Sequence, residues 1–421
     1  MKVGIIGSGG REHALCTAIH KSKKVSEIYC FPGNAGTSNI SKNIDLDLND
    51  FEGLKKFILK NKIDLIIVGP EKPLVDGIVD FLENNQIKVF GPNKVASQLE
   101  GSKIFTKNIC KKYNIPTADF GIFQNLEKSR QFLNKCKMPI VVKADGLAAG
   151  KGVYICENKD QANTAIQEIF NGKFGKANFV LIEEFLKGDE MSFFVISDGK
   201  NFKKFGTAQD HKRINEGDKG KNTGGMGAYS PSGFENDSLD NKILEKIIRP
   251  TLTALNDMKT EFKGFLYAGL MIVDSEPYLI EYNVRMGDPE CQTIIPRLKT
   301  DFLEILIACI NQELNSINIE WSDNKSLCVV LCSQGYPDEY ENEIEIKNLK
   351  EISLNQNEFI FHAGTKTLNS KIYSNGGRVL NFTVKSDSFR DSRKRALNLI
   401  QKLNWKNGYH RKDIGFKVID Q

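Results

Sequence analysis

The first ten residues constrain the fold more than any other stretch. Lys2 to Ile6 is short and β-branched, and it runs straight into Gly7-Ser8-Gly9-Gly10, after which a helix is expected from near Arg11. A buried strand, a glycine turn and a helix, in that order, open a parallel α/β sheet. Further strands are expected at Glu27 to Phe31, Asp64 to Val68 and Lys88 to Phe90, with helical patterns at Phe51 to Leu59 and Val75 to Leu82. Strands alternating with helices imply a sheet covered on both faces. This unit is expected to end near Gly101.

The 421 residues exceed a single unit, since domains run to roughly 100–200 residues. Beyond a helix at Ser102 to Tyr113, strands are expected at Ile140 to Lys143, Val153 to Cys156 and Phe179 to Glu183, with a helix at Ala162 to Phe170. Ser197 to Lys200 reads as a hairpin turn between Ser192 to Ile196 and Phe202 to Phe205. Gln209 to Ser230 is polar and glycine-rich, too long for a routine connector, and is expected to be functional or mobile. Phe265 to Val273 and Tyr278 to Asn283 are strong strands around Asp274-Ser275-Glu276. A helix then leads to β runs at Leu327 to Ser333, Glu358 to His362 and Arg378 to Val384, and a last helix from Ser388 to Leu403.

Composition excludes several classes. Lys plus Arg is 58 and Asp plus Glu 53, a net charge of +5 that demands neither nucleic acid nor a membrane surface but suits an anionic small substrate. The nine cysteines form no CxxC pair and read as reduced thiols. The apolar run from Phe302 to Ile310 is broken by Glu304 and falls far short of the ~18 residues of a span. The N-terminus lacks the pattern of a signal peptide. A cytoplasmic protein is expected. Neither HExxH nor G-x-S-x-G occurs, so zinc and serine hydrolases are unsupported.

Four stretches carry chemistry. The turn at Gly7–Gly10 can present backbone N–H groups to an anion, or be a tight turn only. It fails the dinucleotide pattern GxGxxG because Glu12 stands at the sixth position, and no acid closes the second strand. The loop from Ala144 to Gly152 joins two strands and is not a Walker loop, yet its glycines and Lys151 can fold over a triphosphate. Lys143, ending an apolar strand, is either a phosphate ligand or a snorkelling structural lysine. Glu281 and Asn283 share one strand face and supply two oxygen donors suited to Mg²⁺ with phosphates completing the shell, or they are a polar strand end. Arg285, Asp288 and Glu290 crowd beside them.

Read together, the motifs GSGGREHAL, FPGNAGT, VVKADGLAAGKGV, IEEFLKGDE, TAQDHKR, NTGGMGAYSP, IEYNVRMGDPECQ, HAGT, NGGRVL and RKDIGF occur in the order of a known family. The chain closely resembles the phosphoribosylamine–glycine ligases, also called glycinamide ribonucleotide synthetases, over essentially its whole length. An ATP-grasp carboxylase would share Lys143 and Glu281 but should lack TAQDHKR and NTGGMGAYSP. A non-catalytic nucleotide-binding protein would have lost Glu281 and Asn283. Met286 departs from the Phe or Leu usual in the family, which implies altered packing and retained activity.

The resemblance implies an α/β and α+β multidomain protein of ATP-grasp fold. Its parts are an N-terminal parallel-sheet domain (1–101), a lid region (102–194), a central catalytic domain (195–325) and a C-terminal β-rich domain (326–421). It implies ligation of glycine to 5-phosphoribosylamine through glycyl phosphate in purine biosynthesis, with ATP and Mg²⁺ or Mn²⁺. No nucleic acid, membrane or fused pathway domain is expected, and the chain should be a monomer or weak homodimer. Lys103 and Lys143 are implied to contact ATP phosphates under the loop of Gly150, Lys151 and Gly152. Glu183, Phe185 and Leu186 are implied to hold adenine, partly through backbone groups, and Glu190 the ribose. Glu281 and Asn283 would hold the metal. Arg285 and Asp210 would steady glycine or the transferring phosphoryl group, alongside Lys143. Gly9, Gly10, Arg11, Glu12, Asn34, Pro70 and Glu71 would cradle phosphoribosylamine.

Overall fold

The structure is a computed structural model that describes residues 1–147, 152–175 and 178–419. Its N-terminal unit is a five-stranded sheet in the order Lys42–Asn43, Glu27–Pro32, Lys2–Gly7, Leu65–Val68, Val89–Phe90. All the pairings are parallel, with Val3 opposite both Ile28 and Leu65. Near-continuous apolar strands such as Leu65–Val68 are buried on both faces, as a parallel sheet requires. The strand order reverses direction at the first strand, so the loops after Gly7, Pro32 and Val68 gather at one carboxyl edge. Such switch points form crevices in open α/β sheets. The helix expected over Val75 to Leu82 is two helices, Glu71–Asp76 and Ile78–Asn84, because Gly77 between them adopts φ +99°.

The small unit is an antiparallel sheet in the order Phe120–Phe123, Val180–Glu184, Ile140–Ala144, Val153–Cys156, with helices Leu126–Leu133 and Lys159–Phe170 packed on it. The next strand, Asp189–Asp198, belongs to a different sheet. The expected division at 194 therefore falls inside a strand, and the two sheets part at the short link Phe185 to Gly188.

A nine-stranded antiparallel sheet makes up the rest. Glu276–Asn283, Lys263–Val273, Asp189–Asp198 and Phe202–Asp210 form its central half, and Lys325–Ser333, Arg378–Ser386 and Glu358–His362 the C-terminal half. Strand Gly227–Ser230 joins them, pairing with Phe202–Asp210 on one side and Lys325–Ser333 on the other. One expectation changes here. The segment Gln209 to Ser230 is not a long loop, since it holds the hairpin Arg213–Asn215 with Lys219–Asn222 and this buried bridging strand. Its strands are only three or four residues long, so no period-two pattern marks them. The division expected at 325/326 falls at the start of strand Lys325–Ser333, where the sheet continues into its C-terminal half. By contrast, the hairpin turn at Asp274 and Ser275 has positive φ at both residues (47° and 64°), the geometry a two-residue turn between twisted strands needs. Helix Phe302–Ile310 forms where expected, with Asp301 accepting from the N–H groups of Leu303 and Glu304.

Helix Gly10–His20 holds the units together. Its residues Gly10 to Cys16 and Ile19 are buried, because it lies between the parallel sheet and the elements Glu290–Ile294 and Glu358–His362. A clamp on the far side ties down the polar hairpin. Arg411 is fully buried, and its guanidinium donates to the Arg213 carbonyl (3.0 Å), Asp218 Oδ1 (2.7 Å) and both oxygens of Asp413. Its neighbour in that clamp, His211, accepts the Gly415 N–H at Nε2 (3.0 Å).

Candidate active site

Two concave regions collect some of the residues expected to act, Gly9 and Asn34 in one and Glu190, Asp210 and Glu281 in the other. The larger is a cavity of about 320 Å³ between the carboxyl edge of the parallel sheet and the C-terminal half of the long sheet. Ser8, Gly9, Gly33 and Asn34 line one wall, and Asp288, Thr365, Asn375 and Arg378 the other. Arg378 is its cation, anchored through Nη1 to the Asp288 carbonyl at 2.7 Å with Asp288 Oδ1 3.3 Å away.

The N-terminal helix is less open to an anion than its glycines suggest. Glu12 turns back so that Oε2 accepts the Gly9 N–H at 2.6 Å, while Oε1 pairs with Arg11 Nε at 2.6 Å. Asp288 Oδ2 accepts the Arg11 N–H at 3.1 Å. Carboxylates thus take two N–H groups that a pyrophosphate would take at such a helix start, which is the physical content of the failed GxGxxG pattern. A Cβ on Gly7 or Gly69 would strike the Glu12 side chain, so both glycines make room for it.

Of the residues expected around phosphoribosylamine, Gly9 and Asn34 line this cavity. Asn34 is also a strut. Its amide donates to the carbonyls of Ser8 and His362 (each 2.8 Å), and its oxygen accepts from Gly36 and Thr37. Arg11 and Glu12 are buried beside the cavity and outside its lining. Gly10 faces elsewhere: a Cβ there would collide with Asn381 and Gln292. Gly10 is absent from the cavity lining, and its missing Cβ lets the helix press against the C-terminal sheet. Gly10→Val should accordingly lower stability by about 1–3 kcal/mol, the usual cost of overpacking, read as a drop in melting temperature.

Glu71, just after Pro70, lies with Arg285 instead. Arg285 Nη2 donates to Glu100 Oε1 at 2.7 Å, and its Nε stands 3.3 Å from Glu71 Oε2. Arg285, with help from Arg11, holds the Glu71 carboxyl down at about 2 against burial, while burial pushes Glu100 up. Arg285 thus joins the N-terminal unit to the central one and lines neither cavity. Met286 is buried, and its carbonyl accepts from Arg11 Nη1 at 3.1 Å and Arg285 Nη1 at 3.2 Å.

The second region is a narrow cleft on the central half-sheet, lined by Glu190, Ser192, Asp210, Lys212, Tyr267 and Glu281 among others. Lys212 Nζ pairs with Glu190 Oε2 at 2.6 Å. The Glu190 and Lys212 side chains are still 46% and 36% exposed, so the pair opens to solvent through the cleft. Desolvation, with Glu290 and Glu190 adding repulsion, pushes the Asp210 carboxyl up to about 7 in spite of Lys212. Glu281 and Asn283 flank Tyr282, which is buried in the core, so they share the opposite face. The negative charge of Glu281 also acts on Lys103 and Lys212. Among the described residues no three His, Cys, Asp or Glu gather as a metal cage. A carboxylate and an amide oxygen beside lysines are a hard donor set that fits Mg²⁺ with non-protein oxygens supplying the rest.

Lys143 is buried, and its partner is a protein carboxylate. Glu183 lies between Lys143 and Lys107, paired with both. The two lysines hold the Glu183 carboxyl below its ordinary value against burial, and burial pulls Lys107 down. The Glu183 side chain is thereby committed to the two lysines. Phe185 and Leu186 follow on the link between the sheets, both half-buried. Lys103 Nζ donates to the Gly146 carbonyl at 2.9 Å, and Gly152 accepts the Ala144 N–H at 2.8 Å. Gly150 and Lys151 lie outside the described residues.

Sequence reasoning missed Lys212 and Tyr267 in the cleft, Lys107 beside Glu183, and Tyr336, Thr365, Asn375 and Arg378 around the cavity. The motifs HAGT and NGGRVL contain Thr365, Asn375 and Arg378, but neither motif shows which cavity it lines. Tyr336 carries no sequence signal.

Comparison with known proteins decides the family. The phosphoribosylglycinamide synthetase N domain matches residues 1–100, the ATP-grasp (A) domain 101–291 and the C domain 326–417. The chain belongs to the phosphoribosylglycinamide synthetase family. It is 44% identical to the phosphoribosylamine–glycine ligase of Mesorhizobium japonicum, with 100% of this chain and 99% of that one covered. Identity to the Caldanaerobacter subterraneus ligase is 43%, over 98% of this chain and 99% of the relative. The crystal structure of the Thermotoga maritima phosphoribosylamine–glycine ligase superposes with a TM-score of 0.86 at 34% identity, covering 99% of this chain and 100% of that one. A biotin carboxylase domain from Hydrogenobacter thermophilus shares the fold alone, at 16% identity and a TM-score of 0.71 over 95% of this chain and 89% of that one. The family is one of ligases in the ATP-grasp superfamily. No helix among the described residues is long and apolar enough to cross a membrane.

Proposed function

We propose that this chain joins glycine to 5-phosphoribosylamine, converting ATP to ADP and phosphate, by way of glycyl phosphate. One observation carries the reading most. The three domains of the family occur in order on one chain, and their folding forms an anion-sized cavity at the N-terminal switch point and a cleft of Lys212 with the carboxylates Glu190, Asp210 and Glu281.

A carboxylate does not acylate an amine, because its oxygen is a poor leaving group. Transfer of the γ-phosphoryl group to glycine makes that oxygen part of a phosphate, which leaves when the amine attacks. The acyl phosphate must be kept from water, which suits a small unit joined by the short link Phe185 to Gly188. Lys103 and Lys143 receive the phosphates. Lys143 is shared with Glu183, so a triphosphate draws on an ammonium already partly compensated. Glu190 takes the ribose hydroxyls. Asp210 receives the glycine ammonium, a cation that would draw its raised pKa back down. Glu281 and Asn283 would hold a Mg²⁺ or Mn²⁺ ion, whose charge offsets that of the phosphate oxygens when bound. Arg285 steadies the arrangement from its seat between Glu71 and Glu100. The cavity of Gly9, Asn34, Asp288 and Arg378 takes the ribosyl phosphate. The expected site of work is the cytoplasm, on small-molecule substrates.

ADP release with ATP, Mg²⁺ and glycine, with and without phosphoribosylamine, tests the activity. The intermediate is tested by labelled oxygen. Oxygen from the glycine carboxylate should appear in inorganic phosphate. Unlabelled phosphate with normal ligation would rule the intermediate out, since positioning alone can accelerate amide formation but cannot move that oxygen.

A further inference from the structure

The HAGT turn is part of the C-terminal region, yet the N-terminal unit grips its main chain. His362 ends strand Glu358–His362, and its N–H donates to His13 Nδ1 at 2.8 Å while its carbonyl accepts from Asn34 Nδ2 at 2.8 Å. The Ala35 N–H reaches the Thr365 carbonyl at 3.4 Å. Beyond His362, residues Ala363, Gly364 and Thr365 form part of the cavity wall opposite Gly9. On its other side the turn is held by its own sheet, through the N–H groups of Ala363 and Gly364 to Val379 and Arg378.

His13 has one seat. Its ring packs edge-on against Phe361 at 5.7 Å and lies 5.6 Å from the His362 ring. A Cβ on Gly36 would collide with both histidines, so that glycine leaves the space the pair needs. His13 does not line the cavity.

We propose that His13 is a positioning residue for the ribosyl phosphate substrate: by accepting the His362 N–H it holds the HAGT turn where Ala363 to Thr365 complete the cavity. The inference rests on the assignment of that cavity to phosphoribosylamine. Accepting at Nδ1 places the ring proton on Nε2. Burial pulls the imidazole down to about 3, so Nδ1 remains an acceptor at neutral pH. Without it, a buried backbone donor loses its partner, and the cheapest relief is a shift of the turn away from the Gly9 wall.

Three variants decide the matter. His13→Phe keeps a ring and removes the acceptor. His13→Asn puts an amide oxygen near the place of Nδ1. Ser8→Trp, at an exposed position on the rim, blocks the cavity directly. His13→Phe should raise the KM for phosphoribosylamine about 10-fold, the equivalent of one poorly satisfied buried hydrogen bond. The KM for ATP and the kcat at saturation should hold, and His13→Asn should recover most of the loss. Melting temperature and the KM for ATP report folding; if His13→Phe is not recovered folded, His13→Leu replaces it. Ser8→Trp should raise the phosphoribosylamine KM regardless of His13. If it does and His13→Phe behaves as wild type, the role of His13 is overturned while the cavity assignment stands. Equal losses in His13→Asn and His13→Phe overturn it too, because the ring would then matter only for packing. A Ser8→Trp protein with unchanged KM removes the cavity assignment and the proposal with it.

Discussion

Glu281→Gln should cut turnover by about 10²-fold or more, the scale on which one preorganised electrostatic group is felt. The side chain keeps its shape and loses its charge. Glu281 is half-buried on the face of strand Glu276–Asn283 turned away from the core, and Tyr282 beside it carries the packing. Folding should therefore survive. What goes is the negative charge beside Lys103 and Lys212 and, with it, the carboxylate proposed to hold a divalent ion. Steady-state rates over a Mg²⁺ titration check this. Near-normal turnover at saturating Mg²⁺ would take Glu281 off the ligand set, and a melting temperature lowered as much as the rate would point to structure instead.

Glu183→Gln should destabilise the small unit by about 3–5 kcal/mol, the range for breaking a buried ion pair from one side. Lys107 and Lys143 would then sit buried with only an amide oxygen between them. The pair is a poor source of net stability while intact, since burial already pulls Lys107 down. Its removal is costly because two ammonium groups lose their counter-charge. The wild-type contribution depends on pH in a stated direction. The Glu183 carboxyl is held below its ordinary value, so the stabilisation is complete above the unfolded pKa and is lost as pH falls through the lowered one. Thermal melts of both proteins between neutral and acid pH should converge at the acid end. Equal melting temperatures at neutral pH would show that the lysines find other partners. Binding of ATP should weaken as well, through Lys143.

The opening strand, turn and helix were legible because a parallel sheet buries both faces, and uninterrupted β-branched runs have few other uses. Glu281 and Asn283 were legible as a pair because strand geometry alone puts them on one face. Lys143 was noticed because a lysine on an apolar strand needs a partner, but its partner lies 40 residues along the chain, on Glu183. The packing constraint on Gly10 was hidden for a related reason. A glycine beside a helix start suits both a ligand and a neighbouring side chain, and only the approach of Asn381 and Gln292 shows which. The short strand Gly227–Ser230 is invisible to periodicity, since its burial comes from the strands on either side.

The sequence by itself determined the parallel sheet, its glycine-turn edge, the strand face of Glu281 and Asn283, and, through motif order, the family. These depend on local periodicity, turn chemistry and residue order, all of which are written along the chain. The tertiary structure decided which polar groups meet. It set Glu12 against Gly9 and Arg11, Arg285 between Glu71 and Glu100, Asp210 beside Lys212 and Glu190, and His13 under His362. Such pairings are fixed by packing between segments up to 349 residues apart. A buried charge or N–H group is tolerable only where the fold delivers its partner, and a partner supplied by folding leaves no spacing in the sequence to read.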